Sequence, residues 1–406
     1  MFLKKTAYVL SVLSISSAAM ASGFQISEYS ATGLGRSFAG SGLVGDDFSA
    51  LAYNPAGMQI NSTSGVQAGA TAIVLHADYR DVSASSLDTG KHDSTMARVL
   101  PHFFAQYKIN DRLTAGVGVY TPYGLIIDYK NTWTGRNHGT LSELKAVDLS
   151  PAISFKASEM ISLGAALNIQ YADARLTGAK YANTPYETAT DLQGHDTTAL
   201  GYSVGVVVKP VKQARIGVSY RSKVDHKIKG KIKLTTPMGV TKMDAFAEIT
   251  TPELVLISGA YDLNEKWTFS AAARWTKWSR FDRLDIMSSG LPISSTNENW
   301  KNTWYYALGA DYHFNDNWTI RFGGAYDETV IKSQKFRTVR IPDGHRWFAS
   351  LGVSYQTGNW QYDLGYTHVW MNGGVAKGGE TGASSPEVHY NNAGAYMTGF
   401  SVQYKF

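Results

Sequence analysis

The sequence predicts an all-β chain: a transmembrane antiparallel β-barrel of about fourteen strands, preceded by a compact N-terminal segment. Three observations carry this. Several segments alternate apolar and polar residues over strand length, as in the run from Ile161, where Ile161, Leu163, Ala165, Leu167, Ile169 and Tyr171 oppose Ser162, Gly164, Ala166, Asn168 and Gln170. The composition holds 24 Tyr, 16 Phe, 10 Trp and 39 Gly, which suits many strands with aromatic ends. Residues 22–58 match neither pattern: they are mostly small and lack sustained alternation.

The chain opens with Lys4 and Lys5, an apolar run from Ala7 to about Ile15, and Ala19-Met20-Ala21. These are the charged, apolar and small-residue regions of a secretory signal, so cleavage is expected after Ala21. The apolar run is too short to span a bilayer, and no later run reaches helical-span length. The domains are therefore read as 1–21 signal peptide, 22–62 hatch and 63–406 barrel.

Removing Lys4 and Lys5 changes the net charge from 38 − 33 = +5 to 36 − 33 = +3, too small an excess to point to nucleic acid. The chain has no cysteine, which excludes disulfides, thiolate metal sites, a cysteine nucleophile and a lipidated N-terminal cysteine. No cofactor is implied.

In the hatch, Asn54-Pro55-Ala56-Gly57-Met58 reads as a tight reversal. Pro55 removes a donor and pushes Asn54 into extended geometry, while Asn54 can bond the neighbouring backbone.

Strands are expected near 63–80, 95–109, 111–121, 142–157, 160–177, 196–209, 212–235, 240–262, 265–284, 300–315, 317–331, 343–356, 359–372 and 392–406. The rows Trp318, Ile320, Phe322, Tyr326 and Trp360, Tyr362, Leu364, Tyr366 place aromatic residues where interfacial girdles lie. Short turns at 108–112, 262–266, 314–317 and 356–359 are assigned to the periplasm, and the polar stretches 81–94, 122–141, 178–195, 285–299 and 373–391 to outer loops. A soluble sandwich or lipocalin-like barrel also alternates, but needs neither so many strands nor outward aromatic rows.

Tyr120-Thr121-Pro122-Tyr123-Gly124-Leu125 interrupts a strand pattern, since Pro122 cannot donate to a ladder and Gly124 tolerates a bend. Lys227, Lys229, Lys231 and Lys233 alternate strictly and form one charged row, read as a solvated strand extension with lipopolysaccharide phosphate as the alternative contact. The histidines His102, His138, His195, His313, His345 and His368 are scattered and no G-x-S-x-G occurs, so the chain is not read as an enzyme. His92-Asp93 and His195-Asp196 are read as loop polarity rather than metal ligands.

The string GFQISEYSATGLGRSFAG through DDFSALAYNPAGM resembles the N-terminal hatch of the FadL family of outer-membrane transporters for long-chain fatty acids and other hydrophobic compounds. Further similar stretches are Trp133-Thr134-Gly135-Arg136, Leu149-Ser150-Pro151-Ala152, Thr251-Pro252-Glu253, Trp275-Thr276-Lys277-Trp278-Ser279 and the run from Ile341 to Trp347, so the resemblance covers nearly all of the mature chain.

The resemblance implies a monomer in the Gram-negative outer membrane, among lipid and lipopolysaccharide. Cargo would be caught by outer loops, held in a pocket against the hatch and released sideways through a wall gap. It implies a kink and gap at Pro122 and Gly124, a hatch motif at Asn54, Pro55 and Ala56, and a pocket drawing on Phe24, Ile26, Tyr123 and Leu125. Arg175 and Lys301 lie in regions comparable to the basic residues that hold the carboxylate in relatives, and both a carboxylate and a neutral ligand stay open. The terminal Phe406, after alternating aromatics in the last strand, resembles the signal for the barrel-assembly machinery. Uptake of aromatic hydrocarbons and, further off, a general diffusion porin are the competing readings.

Overall fold

A computed structural model describes residues 22–81, 91–129, 133–181, 184–377 and 387–406; the expected signal segment lies outside the described residues. Its strand segments form one antiparallel sheet whose last member pairs with the first, which closes the barrel and leaves no edge. The segments β1 (Gly65–Asp81), β2 (Lys91–Lys108), β3 (Leu113–Asp128), β4 (Leu141–Lys156), β5 (Ile161–Lys180) and β6 (Thr188–Val211) are single staves.

The next four staves are each broken once. β7 (Ala214–Arg221) and β8 (Val224–Thr236) both pair with β6, and β9 (Gly239–Thr251) continues into β10 (Leu254–Asp262) across Pro252, which has no N–H for the ladder. β11 (Trp267–Thr276) with β12 (Arg283–Ser288), and β13 (Leu291–Asn297) with β14 (Thr303–His313), form two staves whose upper halves lean away as a hairpin. β15 (Trp318–Asp327), β16 (Arg346–Thr357), β17 (Trp360–Met371) with the short β18 (Gly374–Ala376), and β19 (Val388–Lys405) complete a 14-strand barrel.

The alternation runs inside out relative to a soluble protein. On β5, Ile161, Leu163 and Leu167 are exposed while Ser162, Asn168 and Gln170 are buried; on β17, Trp360, Tyr362, Leu364 and Tyr366 are exposed while Gln361, Asp363 and Thr367 are buried. Apolar side chains on the outside are stable only against lipid, and the inward polar ones are satisfied by the hatch and one another.

Several expected boundaries are corrected. β3 runs through the segment expected to loop from 122, β5 and β6 extend into 178–195, and 285–299 is largely the β12–β13 hairpin. His195 and Asp196, expected in a loop, belong to β6. The strands at 317–331 and 343–356 are shorter, ending at Asp327 and starting at Arg346. The physical reason is that ladder hydrogen bonds continue above the bilayer whatever the side chains; a switch to polar residues marks the end of the lipid, not the end of the strand.

The N-terminal segment fills the lumen with two short helices, α1 (Ala31–Gly35) and α2 (Ala50–Tyr53), and a 3-10 turn at Pro55–Gln59. The Ser30 hydroxyl caps α1 by accepting from the Gly33 amide at 2.9 Å. A buried charge cluster moors it to the wall: Arg36 meets Asp46 at 2.6 Å and Asp311 at 2.9 Å, and Arg321 meets Asp46 at 2.9 Å. Glycine sets the spacing where backbones touch, since a Cβ on Gly35 would stand 2.8 Å from the Gly352 Cα.

Candidate functional site

The kink in β3 is the centre of the site. β2 pairs with β3 only from Lys108↔Thr114 to Phe103↔Val119; beyond that, β2 keeps β1 as its partner and β3 keeps β4. The β3–β4 register shifts between Tyr120 and Tyr123, around Pro122. The wall is therefore unpaired between β2 and β3 above Val119, and higher up the Ser94 hydroxyl donates to the Asp128 carbonyl at 3.2 Å.

The hatch takes the edge that β2 leaves. The Ile26 amide donates to the Pro122 carbonyl and the Gly124 amide donates to the Phe24 carbonyl, each at 2.8 Å, and Gln25 forms an isolated bridge with Tyr123. Phe24, Gln25 and Ile26 thus act as a three-residue strand on the kink. The Tyr123 hydroxyl donates to the Pro252 carbonyl at 3.1 Å, tying the kink to the break between β9 and β10.

Two of the breaks in the staves deliver three aromatic side chains to one point. Trp278 and Phe281, from the 3-10 turn after β11, and Trp300, before β14, turn inward and are buried. Their ring centroids lie 4.7, 5.4 and 5.6 Å from that of Phe24, with Tyr123 at 6.1 Å. Edge-to-face pairs at such distances contribute about 0.5–1.5 kcal/mol each beyond the area they bury.

Above this cage lies a chamber of about 60 Å³, lined by Phe24, Leu125, Leu144, Leu176, Leu192, Ile228, Ile249, Phe281, Leu284 and Ile341. Such a narrow apolar crevice admits a hydrophobic chain only by displacing side chains. Its charged lining is Glu143, Glu298 and Arg340. The Arg340 guanidinium donates to the Leu141 carbonyl at 3.2 Å and the Ser142 hydroxyl at 3.1 Å. Burial pushes the Glu298 carboxyl up to about 7, against the opposing pull of the Trp300 indole, which donates to it at 3.1 Å, and of Arg340.

Of the expected site residues, Phe24 and Leu125 line the chamber. Ile26, Pro122 and Tyr123 line a separate crevice below it, together with Arg221 and Arg274. Arg175 faces outward on β5 and pairs with Asp191 at 2.8 Å; Lys301 is half-buried at the rim, its amide donating to the Val330 carbonyl at 2.9 Å. Neither lines the chamber, whereas Arg340 does. On β5 the inward positions are even-numbered, so Arg175 stood on the wrong parity from the start. Arg340 lies in a loop without periodicity, and no pattern in the sequence could have singled it out.

Asn54, Pro55 and Ala56 meet the wall at β5, β6 and β7. The Asn54 side-chain oxygen accepts from the Ala56 amide at 3.0 Å and its nitrogen donates to the Val206 carbonyl at 3.2 Å. Wall glycines make the notch: a Cβ on Gly205 would lie 2.0 Å from the Asn54 side-chain oxygen, and one on Gly164 2.2 Å from the Ala56 amide.

Residues 12–406 match the model of the family described as outer membrane protein transport protein (OMPP1/FadL/TodX). The long-chain fatty acid transport protein of Escherichia coli K12 is 25% identical over 393 residues, covering 86% of this chain and 88% of that one. Outer membrane protein P1 of Haemophilus influenzae is 26% identical over 398 residues, covering 86% of each. Among solved structures, a Pseudomonas aeruginosa FadL homologue superposes with a TM-score of 0.86 at 25% identity, covering 95% of this chain and 100% of that one. The Pseudomonas putida toluene transporter TodX shares the fold, with a TM-score of 0.74 at 15% identity over 93% of this chain and 98% of its own. A closed barrel with an occupied lumen, a kinked third stave and a family match over nearly the whole length converge: this chain belongs to the FadL family of outer-membrane transport proteins.

Proposed function

We propose that this protein takes up long-chain fatty acids or related hydrophobic molecules through the outer membrane by passive binding and release. The observation that carries this is that Phe24 seals two things at once. Its ring floors the apolar chamber, and its carbonyl holds the Gly124 amide at the unpaired edge of the wall. A ligand that enters the chamber and displaces Phe24 loosens the strand that closes the gap, so filling the pocket and opening the sideways exit are one movement. An acyl chain gains about 25 cal/mol per Å² of surface it removes from water, which a dry crevice supplies and an aqueous pore does not.

Arg340 supports a carboxylate as the polar end of the cargo, because a guanidinium at the edge of an apolar chamber offers a charge-assisted pair. The rest of the lining favours the second reading, a neutral aromatic hydrocarbon, which would need no such group. Equilibrium binding of a labelled long-chain fatty acid and of toluene to the Arg340→Ala variant tests the choice: loss of the acid alone supports the first reading, and equal retention of both rejects it. Assembly through the Phe406 signal and a monomeric state belong to the same proposal. So does the division into signal peptide, hatch and barrel.

A further inference from the structure

The outer wall carries a feature that transport through the lumen does not use. On β8, Val224, His226, Ile228 and Ile232 are buried toward the lumen, so Lys227, Lys229, Lys231 and Lys233 project outward and are exposed. Alternate residues of a strand are spaced about 6.6 Å, so the four ammonium groups rise over about 20 Å. Pairing with β6 on one side and β9 on the other holds the row straight.

The row sits at a defined height. Along this one stave the outward side chains are Ile216, Val218 and Tyr220 on β7, then Lys223 and Asp225, which pair with each other at 2.6 Å, then Lys227 onward on β8. The rings of Tyr220 and Tyr202 lie 6.0 Å apart, an aromatic pair of the kind that marks the edge of the hydrocarbon layer. The lysines therefore begin where the anionic headgroups of the outer leaflet lie. Lys227 meets Glu248 at 3.3 Å, and Asp191 is held by Arg175 at 2.8 Å. Among the described residues no carboxylate oxygen stands within 4.0 Å of the Lys229, Lys231 or Lys233 ammonium, although Asp244 is the cross-strand neighbour of Lys231. Lys242 stands beside Lys233 and adds a fifth positive charge.

We propose that this lysine ladder binds the phosphate groups of the phosphorylated glycolipid of the outer leaflet, lipopolysaccharide. Ammonium groups bind phosphate as point charges, and a rigid ladder can engage phosphates at several depths without changing shape. The inference rests on the membrane location and the outward face, not on the identity of the transported cargo.

The test uses the full-length protein in detergent, with three probes: bis-phosphorylated lipid A, the same lipid A with its phosphates removed, and inorganic phosphate. Lys229→Gln, Lys231→Gln and Lys233→Gln combined should weaken binding of phosphorylated lipid A by roughly a hundredfold at low salt. The same charge loss at the other rim, Lys212→Gln, Lys266→Gln and Lys405→Gln, should leave it unchanged. Heat-modifiable electrophoretic mobility verifies that each variant is a folded barrel, and Lys231→Gln alone, with a smaller loss, serves if the triple variant does not assemble. Wild-type affinity in the folded ladder variant, equal binding of dephosphorylated lipid A, or full competition by inorganic phosphate at a concentration equal to that of the lipid A would each overturn the proposal.

Discussion

The amide of Gly124 donates to the carbonyl of Phe24 at 2.8 Å, so a residue of the barrel wall takes its strand partner from the hatch rather than from the neighbouring stave. The contact couples the lumen to the membrane, because β2 offers no alternative partner at that height. Consequences follow for the hatch, the chamber and the wall.

Replacing Phe24 and Ile26 together with Ser should impair uptake of a labelled fatty acid several-fold while the barrel still assembles. Both side chains are buried, and truncating a buried Phe alone typically costs about 3–5 kcal/mol of local packing. Uptake by whole cells, with outer-membrane content checked by electrophoretic mobility, decides the matter; normal uptake would reject their role.

The glycine notch yields a different outcome. Gly164→Val places a branched side chain where the Ala56 amide stands 2.2 Å from a bare Cβ, so hatch and wall cannot both keep their places. The barrel pairs of β5 do not involve that side chain, and the hatch should be displaced. Planar-bilayer recording should then show steady ion conductance that the parent lacks, and a silent variant would count against the notch.

Arg340→Ala should weaken fatty-acid binding by about tenfold or more, the scale of one charge-assisted hydrogen bond. Arg175→Ala, whose partner Asp191 faces outward with it, should change binding by no more than about 0.5 kcal/mol. Fluorescence titration of both variants separates the two arginines.

Glu298 makes a pH-dependent contribution. Its carboxyl is raised from 4.5 to about 7, so the folded state holds the proton more tightly than the unfolded chain does. That stabilisation is fully present below the unfolded value of 4.5 and is lost as pH rises through about 7. Glu298→Gln, which is neutral throughout, should lose less thermal stability than the parent between about pH 5 and about pH 8. The same substitution should strengthen carboxylate binding on the alkaline side, where an ionised Glu298 repels it.

Arg36→Ala would take from Asp311, which is buried with side-chain exposure of 1%, its partner at 2.9 Å and leave it Arg321 at 3.7 Å. Removing one partner of a buried ion pair costs about 3–5 kcal/mol, here charged to the mooring of the hatch rather than to the lipid-facing wall. Increased protease sensitivity within residues 22–60 of the assembled barrel is the expected readout.

The alternation of Ile161 to Tyr171, the aromatic rows at Trp318 and Trp360 and the short Asn-rich turns made the barrel legible, because each reports on the immediate surroundings of a residue. The small-residue N-terminal stretch read as compact packing for the same reason, and its resemblance to the FadL family made it a hatch. The chamber was legible only in part. Phe24 and Leu125 were within reach, whereas Trp278, Phe281, Trp300 and Arg340 come from three broken or irregular segments that have no period to follow.

By itself, then, the amino-acid order determined which residues face lipid and how many staves close the cylinder, and it set a compact small-residue segment apart at the N-terminus, since period-two alternation and side-chain volume are local properties. Only the tertiary structure decided that the Phe24–Ile26 backbone completes the ladder at Pro122 and Gly124, and that Arg340 rather than Arg175 reaches the chamber. Those relations join residues far apart in the chain through barrel register and stave breaks, and a hydrogen bond between distant backbones leaves no mark on the side chains from which a sequence is read.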